Sequence, residues 1–213
     1  IIGAPKAELD GNALNAGITY VIFNSGNVVD LDLSAPLSLI GYKIFGVEIE
    51  GYSGSALCVC DVNGDDVNDV IIGAPEASSN LRSQTTGNVY VVFGLAGYQN
   101  VNLAAFKGNS SHGYRIVGAV VNDKVGTSVA CGDVNGDGIG DIVIGATGTD
   151  PLGRSNSGGG YVVYGHINAG SGGGAGGGSG GASLGGNSAN ATDVDLLTMV
   201  TSNTTGYQIY GTI

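Results

Sequence analysis

The sequence predicts an all-β fold made of one four-stranded unit written about three times. Three observations predict it. Short segments recur at near-constant offsets. The recurring segments are rich in β-branched and aromatic residues. The stretches between them carry turn residues, such as Asp10-Gly11-Asn12 and Asn24-Ser25-Gly26. No convincing helical period interrupts the pattern.

The elements follow in chain order. Ile1-Ile2-Gly3-Ala4-Pro5 returns as Ile71-Ile72-Gly73-Ala74-Pro75 and as Val143-Ile144-Gly145-Ala146-Thr147, at offsets of 70 and 72. Tyr20-Val21-Ile22-Phe23 returns as Tyr90-Val91-Val92-Phe93 and Tyr161-Val162-Val163-Tyr164. Asp30-Leu31-Asp32-Leu33 returns as Asn100-Val101-Asn102-Leu103 and Asp193-Val194-Asp195-Leu196. Gly41-Tyr42-Lys43-Ile44 returns as Gly113-Tyr114-Arg115-Ile116 and Gly206-Tyr207-Gln208-Ile209. A fourth strand, Gly54 to Cys60 and Gly126 to Cys131, leads into an acidic loop. The third copy is stretched by Gly170 to Gly186, nearly all Gly, Ser and Ala, which reads as a flexible excursion between strands.

The acidic loops carry the chemistry. One places oxygen side chains at Asp61, Asn63, Asp65 and Asp69, the other at Asp133, Asn135, Asp137 and Asp141. These are positions 1, 3, 5 and 9 of each loop, and the carbonyls of Val67 and Ile139 stand at position 7. Alternate residues of a tight loop point at one centre, and crowded hard oxygens suit Ca²⁺ better than a soft-ligand metal. Gly136 and Gly138 permit the positive φ such a turn needs; in the first loop Asp66 stands where the second has Gly138. An EF-hand is excluded, because position 12 is Ile72 or Ile144 rather than Glu.

Composition narrows the classes. The chain has 213 residues, enough for a sizeable core, and a net charge of -11 from 18 acidic and 7 basic residues. That balance argues against nucleic acid or an anionic membrane surface as the main partner. No apolar run approaches a membrane span. Cys58 and Cys60 share a face of one strand and do not bridge each other; with Cys131 they read as small buried hydrophobes, too few ligands for zinc. His112 and His166 lie away from the repeated motifs and read as surface residues. The chain opens on Ile1 with no visible leader, as a mature or trimmed piece would. Sequons at Asn109, Asn190 and Asn203 are glycosylation candidates and, with the calcium loops, point to an extracellular setting.

The run Val125-Gly126-Thr127-Ser128-Val129-Ala130, the Asp133 loop and Val143-Ile144-Gly145-Ala146 resemble the FG-GAP repeats of integrin α-chain β-propellers. Gly54-Ser55-Ala56-Leu57, the Asp61 loop and Ile71-Ile72-Gly73-Ala74-Pro75 form the earlier copy. The resemblance implies propeller blades of four antiparallel strands, with Ca²⁺ held in the hairpin between the first and second. Ser53 and Val125 replace the phenylalanine of the motif, and Thr147 replaces its proline. In that frame residues 1–46 are a partial blade lacking its innermost strand. Residues 47–118 are a blade with the first calcium loop. Residues 119–213 are a blade with the second loop and the Gly-rich insertion 170–186. Three units are fewer than a closed propeller uses, so the expectation is a partial propeller, or part of a larger or polymeric assembly.

The functional expectation is a calcium-stabilised extracellular structural or adhesion module with two Ca²⁺ sites, standing alone or as a segment of a longer surface protein or fibre. Its partners would be a protein or glycan ligand, or further copies of itself. The alternative is a non-catalytic propeller domain accompanying a secreted hydrolase. No catalytic constellation emerges, and the acidic residues are largely used by the loops.

Overall fold

The computed structural model describes residues 1–9, 14–23, 31–34, 37, 40–79, 82–94, 99–106, 112–153, 157–166, 194–199 and 206–210. The strands are β1 (Ile2–Ala4), β2 (Ile18–Ile22), β3 (Gly41–Phe45), β4 (Ala56–Cys60), β5 (Asp69–Ala74), β6 (Ser78–Ser79), β7 (Arg82–Thr85), β8 (Asn88–Val92), β9 (Val101–Asn102), β10 (Gly113–Val117), β11 (Val125–Gly132), β12 (Asp141–Ala146), β13 (Gly159–Val163), β14 (Val194–Asp195) and β15 (Gly206–Tyr210). They form three blade sheets in the orders β1-β2-β3-β9, β14-β10-β8-β5-β4 and β11-β12-β13-β15, plus the small hairpin β6-β7. The fold is all-β, with blades of the propeller type.

Within each blade the repeated strands pair antiparallel, in matching register: Ile72 faces Tyr90 as Ile144 faces Tyr161. β5 shows why these runs are apolar throughout. Val70, Ile72 and Ala74 enter a core against the first blade, while Ile71 enters a core against the third. A strand buried on both faces reads as a continuous hydrophobic run.

The outer edge differs from the four-strand expectation. β9 belongs to the second unit in sequence, yet it pairs parallel with β3 of the first blade. β14 of the third unit pairs parallel with β10 of the second blade. The second and third units thus each lend a two-residue strand to the blade before them. Leu103 and Leu196, which follow these strands, are fully buried in the inter-blade cores. Asn100 Oδ1 accepts the Lys43 N–H at 2.9 Å and secures the first exchange. The Asn100-to-Leu103 and Val194-to-Leu196 segments are therefore latches between blades. One short α-helix, Leu196–Met199, follows β14.

Glycine sets the blade spacing at one recurring contact. A Cβ on Gly73 would lie 2.2 Å from the Gly126 carbonyl oxygen, and one on Gly3 would lie 2.1 Å from that of Gly54. Gly54 and Gly126 have φ of 91° and 89°, in the region that favours glycine. The glycine of one blade's Ile-Gly-Ala strand therefore rests on the glycine that opens the next blade's inner strand. Ser53 and Val125, which stand where the motif has phenylalanine, are both buried. All three sequons and the Gly170–Gly186 tract lie outside the described residues.

Candidate metal-binding loops

Each acidic loop joins the inner strand of a blade to the next: β4 to β5, and β11 to β12. The first loop turns through Gly64 at φ 73° and Asp66 at φ 64°; the second turns through Gly136 at 80° and Gly138 at 88°. Asp66 thus adopts the left-handed conformation that its place in the repeat requires, which aspartate tolerates better than most residues.

The two loops carry nearly the same hydrogen bonds. Asp61 Oδ1 accepts the amides of Asn63, Gly64 and Asp65, and Oδ2 accepts that of Asp66. Asp133 Oδ1 accepts the amides of Gly136 and Asp137, and Oδ2 accepts that of Gly138. Asn63 Nδ2 donates to Asp65 Oδ2 at 3.0 Å, as Asn135 Nδ2 does to Asp137 Oδ2 at 3.0 Å. Asp65 Oδ1 accepts the Val67 amide, and Asp137 Oδ1 accepts that of Ile139. Every predicted side chain therefore sits on its loop, with the carboxylates turned onto backbone amides. Among the described residues, no three acidic, His or Cys side chains converge tightly enough to hold a metal in this conformation. The donor set remains all hard oxygen, three carboxylates and one amide per loop, which fits Ca²⁺ and no soft-ligand metal.

The position-9 aspartates do something the sequence did not suggest. Asp69 and Asp141 are fully buried. Asp69 Oδ2 accepts the Val62 amide at 2.9 Å, and Oδ1 accepts the Gly94 amide at 2.8 Å. Asp141 repeats this with Val134 and Gly165, both at 2.9 Å. Each clamps the start of its loop to the segment that follows the third strand of the blade. Burial pushes the Asp69 carboxyl up to about 7, opposed by those two amides. Burial likewise raises Asp141. Asp133 is held below the usual carboxylate range by the amide donors, Gly138 foremost.

The loops also touch. The Gly140 amide donates to the Asp61 carbonyl at 2.8 Å, and the His166 amide donates to the Val62 carbonyl at 3.1 Å. The third blade therefore covers the first loop, where Asn63 is 5 % exposed, while Asn135 in the second loop is exposed. His166, expected at the surface, is half-buried beside these loops, and burial lowers its pKa. The signal available was its place just after Gly165, at the end of a repeated strand.

Comparison with known proteins matches this geometry. The FG-GAP repeat family model fits residues 53–92 and 125–163, which span the inner strand, the acidic loop and the next two strands of each blade. The chain is an FG-GAP repeat protein. Integrin alpha-2 from Bos taurus is 29 % identical over 168 residues, covering 78 % of this chain and 12 % of that protein. Phosphatidylinositol-glycan-specific phospholipase D from Homo sapiens is 32 % identical over 154 residues, covering 68 % of this chain and 16 % of that protein. Integrin alpha-PS2 from Drosophila melanogaster is 33 % identical over 117 residues, covering 53 % of this chain and 8 % of that protein. The chain thus spans less than a fifth of the length of these relatives.

Proposed function

We propose that this chain is a calcium-stabilised extracellular structural or adhesion module. The duplicated loop carries the proposal: the same oxygen side chains stand at the same positions in two blades, with nearly the same internal hydrogen bonds. Asp61, Asn63, Asp65, Asp69 and the Val67 carbonyl would hold one Ca²⁺. Asp133, Asn135, Asp137, Asp141 and the Ile139 carbonyl would hold the other. The ion would replace amide donors as the partner of the position-1 and position-5 carboxylates, and so stiffen the hairpin at the blade's inner edge. The module has no catalytic role of its own; its exposed loops meet a protein or glycan ligand, or further copies of the chain. Similarity to integrin alpha chains supports adhesion and an extracellular setting.

A second function has its own support. Similarity to a phospholipase D over 68 % of the chain favours a non-catalytic propeller domain accompanying a secreted hydrolase. Both share the calcium loops, so one experiment tests their common ground. Thermal unfolding is followed in excess calcium and in chelator. A ligand that binds only the native state stabilises it by RT ln(1 + [L]/Kd), about 2.7 kcal/mol at one hundred times Kd. A lower melting temperature in chelator is expected; an unchanged one contradicts the proposal.

A further inference from the structure

The three cysteines meet between two blades. Cys58 and Cys60 lie on β4, the inner strand of the second blade, and Cys131 lies on β11, the inner strand of the third. Their meeting follows from strand parity. The repeat offset of 72 places Cys131 at the position of Val59, one residue out of phase with Cys58 and Cys60. Successive side chains of a strand point to opposite faces. Cys131 therefore faces backward from its blade, whereas Cys58 and Cys60 face forward from theirs. Leu57, in phase with Val59, packs toward the first blade. All three cysteines pack instead against the core shared by the second and third blades. All three are half-buried free thiols in the contact between β4 and β11.

We propose that Cys131 is the shared member of a two-choice disulfide, bridging to Cys58 or to Cys60 and stapling the inner strands of adjacent blades. Cys58 and Cys60, side by side on one strand face, are poorly placed to bridge each other. The co-reactant is a low-molecular-weight disulfide such as oxidised glutathione. A thiolate of Cys58 or Cys60 attacks one of its sulfurs, forming a mixed disulfide and releasing one glutathione thiol. The Cys131 thiolate then attacks the protein sulfur of that mixed disulfide and expels the second glutathione. Two protein thiols give up two protons and two electrons, and one glutathione disulfide becomes two glutathione thiols. The third cysteine stays reduced beside the new bond. Its attack on Cys131 moves the bridge from one partner to the other with no net redox change.

The inference stands apart from calcium binding and is tested apart from it. The protein is equilibrated with oxidised glutathione in calcium buffer, quenched with acid, and its thiols are counted after denaturation. The count falls from three to one. Peptide mapping without reductant shows Cys131 joined to Cys58 and to Cys60 in separate populations. Cys58→Ser and Cys60→Ser each keep a bridge to Cys131, and Cys131→Ser has none. Three thiols after equilibration, a bridge between Cys58 and Cys60, or a bridge between chains overturns the proposal. Loss of the bridge in Cys58→Ser or in Cys60→Ser alone overturns its two-choice character. The mapping of the unmutated protein decides the main point even where a variant fails to fold.

Discussion

Asp69→Ala separates the structural part of the first loop from its ion-binding part. Asp69 is fully buried and accepts two backbone amides, Val62 at 2.9 Å and Gly94 at 2.8 Å. Alanine leaves both amides without an acceptor in a site closed to bulk water. Each orphaned buried amide costs about 1–3 kcal/mol. Removing a carboxylate that burial itself destabilises offsets part of this, so a net loss of about 3 kcal/mol is expected in chelator, where no ion contributes. For a chain of this size that lowers the melting temperature by about 6–12 °C. Asp65→Ala is the control. Its carboxylate accepts only the Val67 amide and the Asn63 side chain, on a partly exposed loop, so in chelator it costs about 1 kcal/mol or less. In calcium, Asp65→Ala loses the ion's stabilisation as well. Denaturant unfolding of both variants, with and without chelator, measures all four values. If Asp69→Ala costs no more than Asp65→Ala in chelator, the clamp assigned to the position-9 aspartate is wrong.

The remaining predictions concern pH and packing. Burial raises the Asp69 carboxyl from 3.8 to about 7, so the folded state holds that proton more tightly than the unfolded chain. Its contribution is then fully present below about pH 4 and is lost as pH rises toward 7, and calcium-free protein should lose stability across that window. Saturating calcium should flatten or reverse this slope, which melting curves from pH 4 to 8 with and without chelator would show. Gly73→Ala pushes a Cβ to 2.2 Å from the Gly126 carbonyl oxygen, and should destabilise by about 1–3 kcal/mol or more in chemical unfolding. Leu103→Ala empties the plug that follows β9 and should cost about 2–5 kcal/mol, with early loss of hydrogen-exchange protection at Tyr42 and Ile44, which share its core.

The strands and loops were legible because their physics is local. Runs such as Val70-Ile71-Ile72 announce strands buried on both faces, and the spacing of Asp133, Asn135, Asp137 and Asp141 announces a tight oxygen-rich turn. The latches were not legible as such. Val101-Asn102 and Val194-Asp195 were visible as repeats, but two residues carry no periodicity that names a partner, and their partner lies in the preceding blade. The clamp role of Asp69 and Asp141 was hidden for a related reason. Their acceptors were assigned to an ion, while the amides they hold at Gly94 and Gly165 come from 24 or 25 residues further along the chain. An aspartate directly before a fully apolar strand was the available signal, since such a carboxylate is buried only with partners. The half-burial of His166 and of the cysteines depends on a neighbouring blade, which no single unit of the repeat reveals.

Calcium titration by isothermal calorimetry tests the central claim most directly. The unmutated protein should take up two ions per chain, and Asp65→Ala and Asp137→Ala should each take up one. The Gly140–Asp61 hydrogen bond joins the two loops, so losing one site should also shift the affinity of the other. Absence of calcium binding in the unmutated protein, or an unchanged stoichiometry in both variants, would contradict the claim.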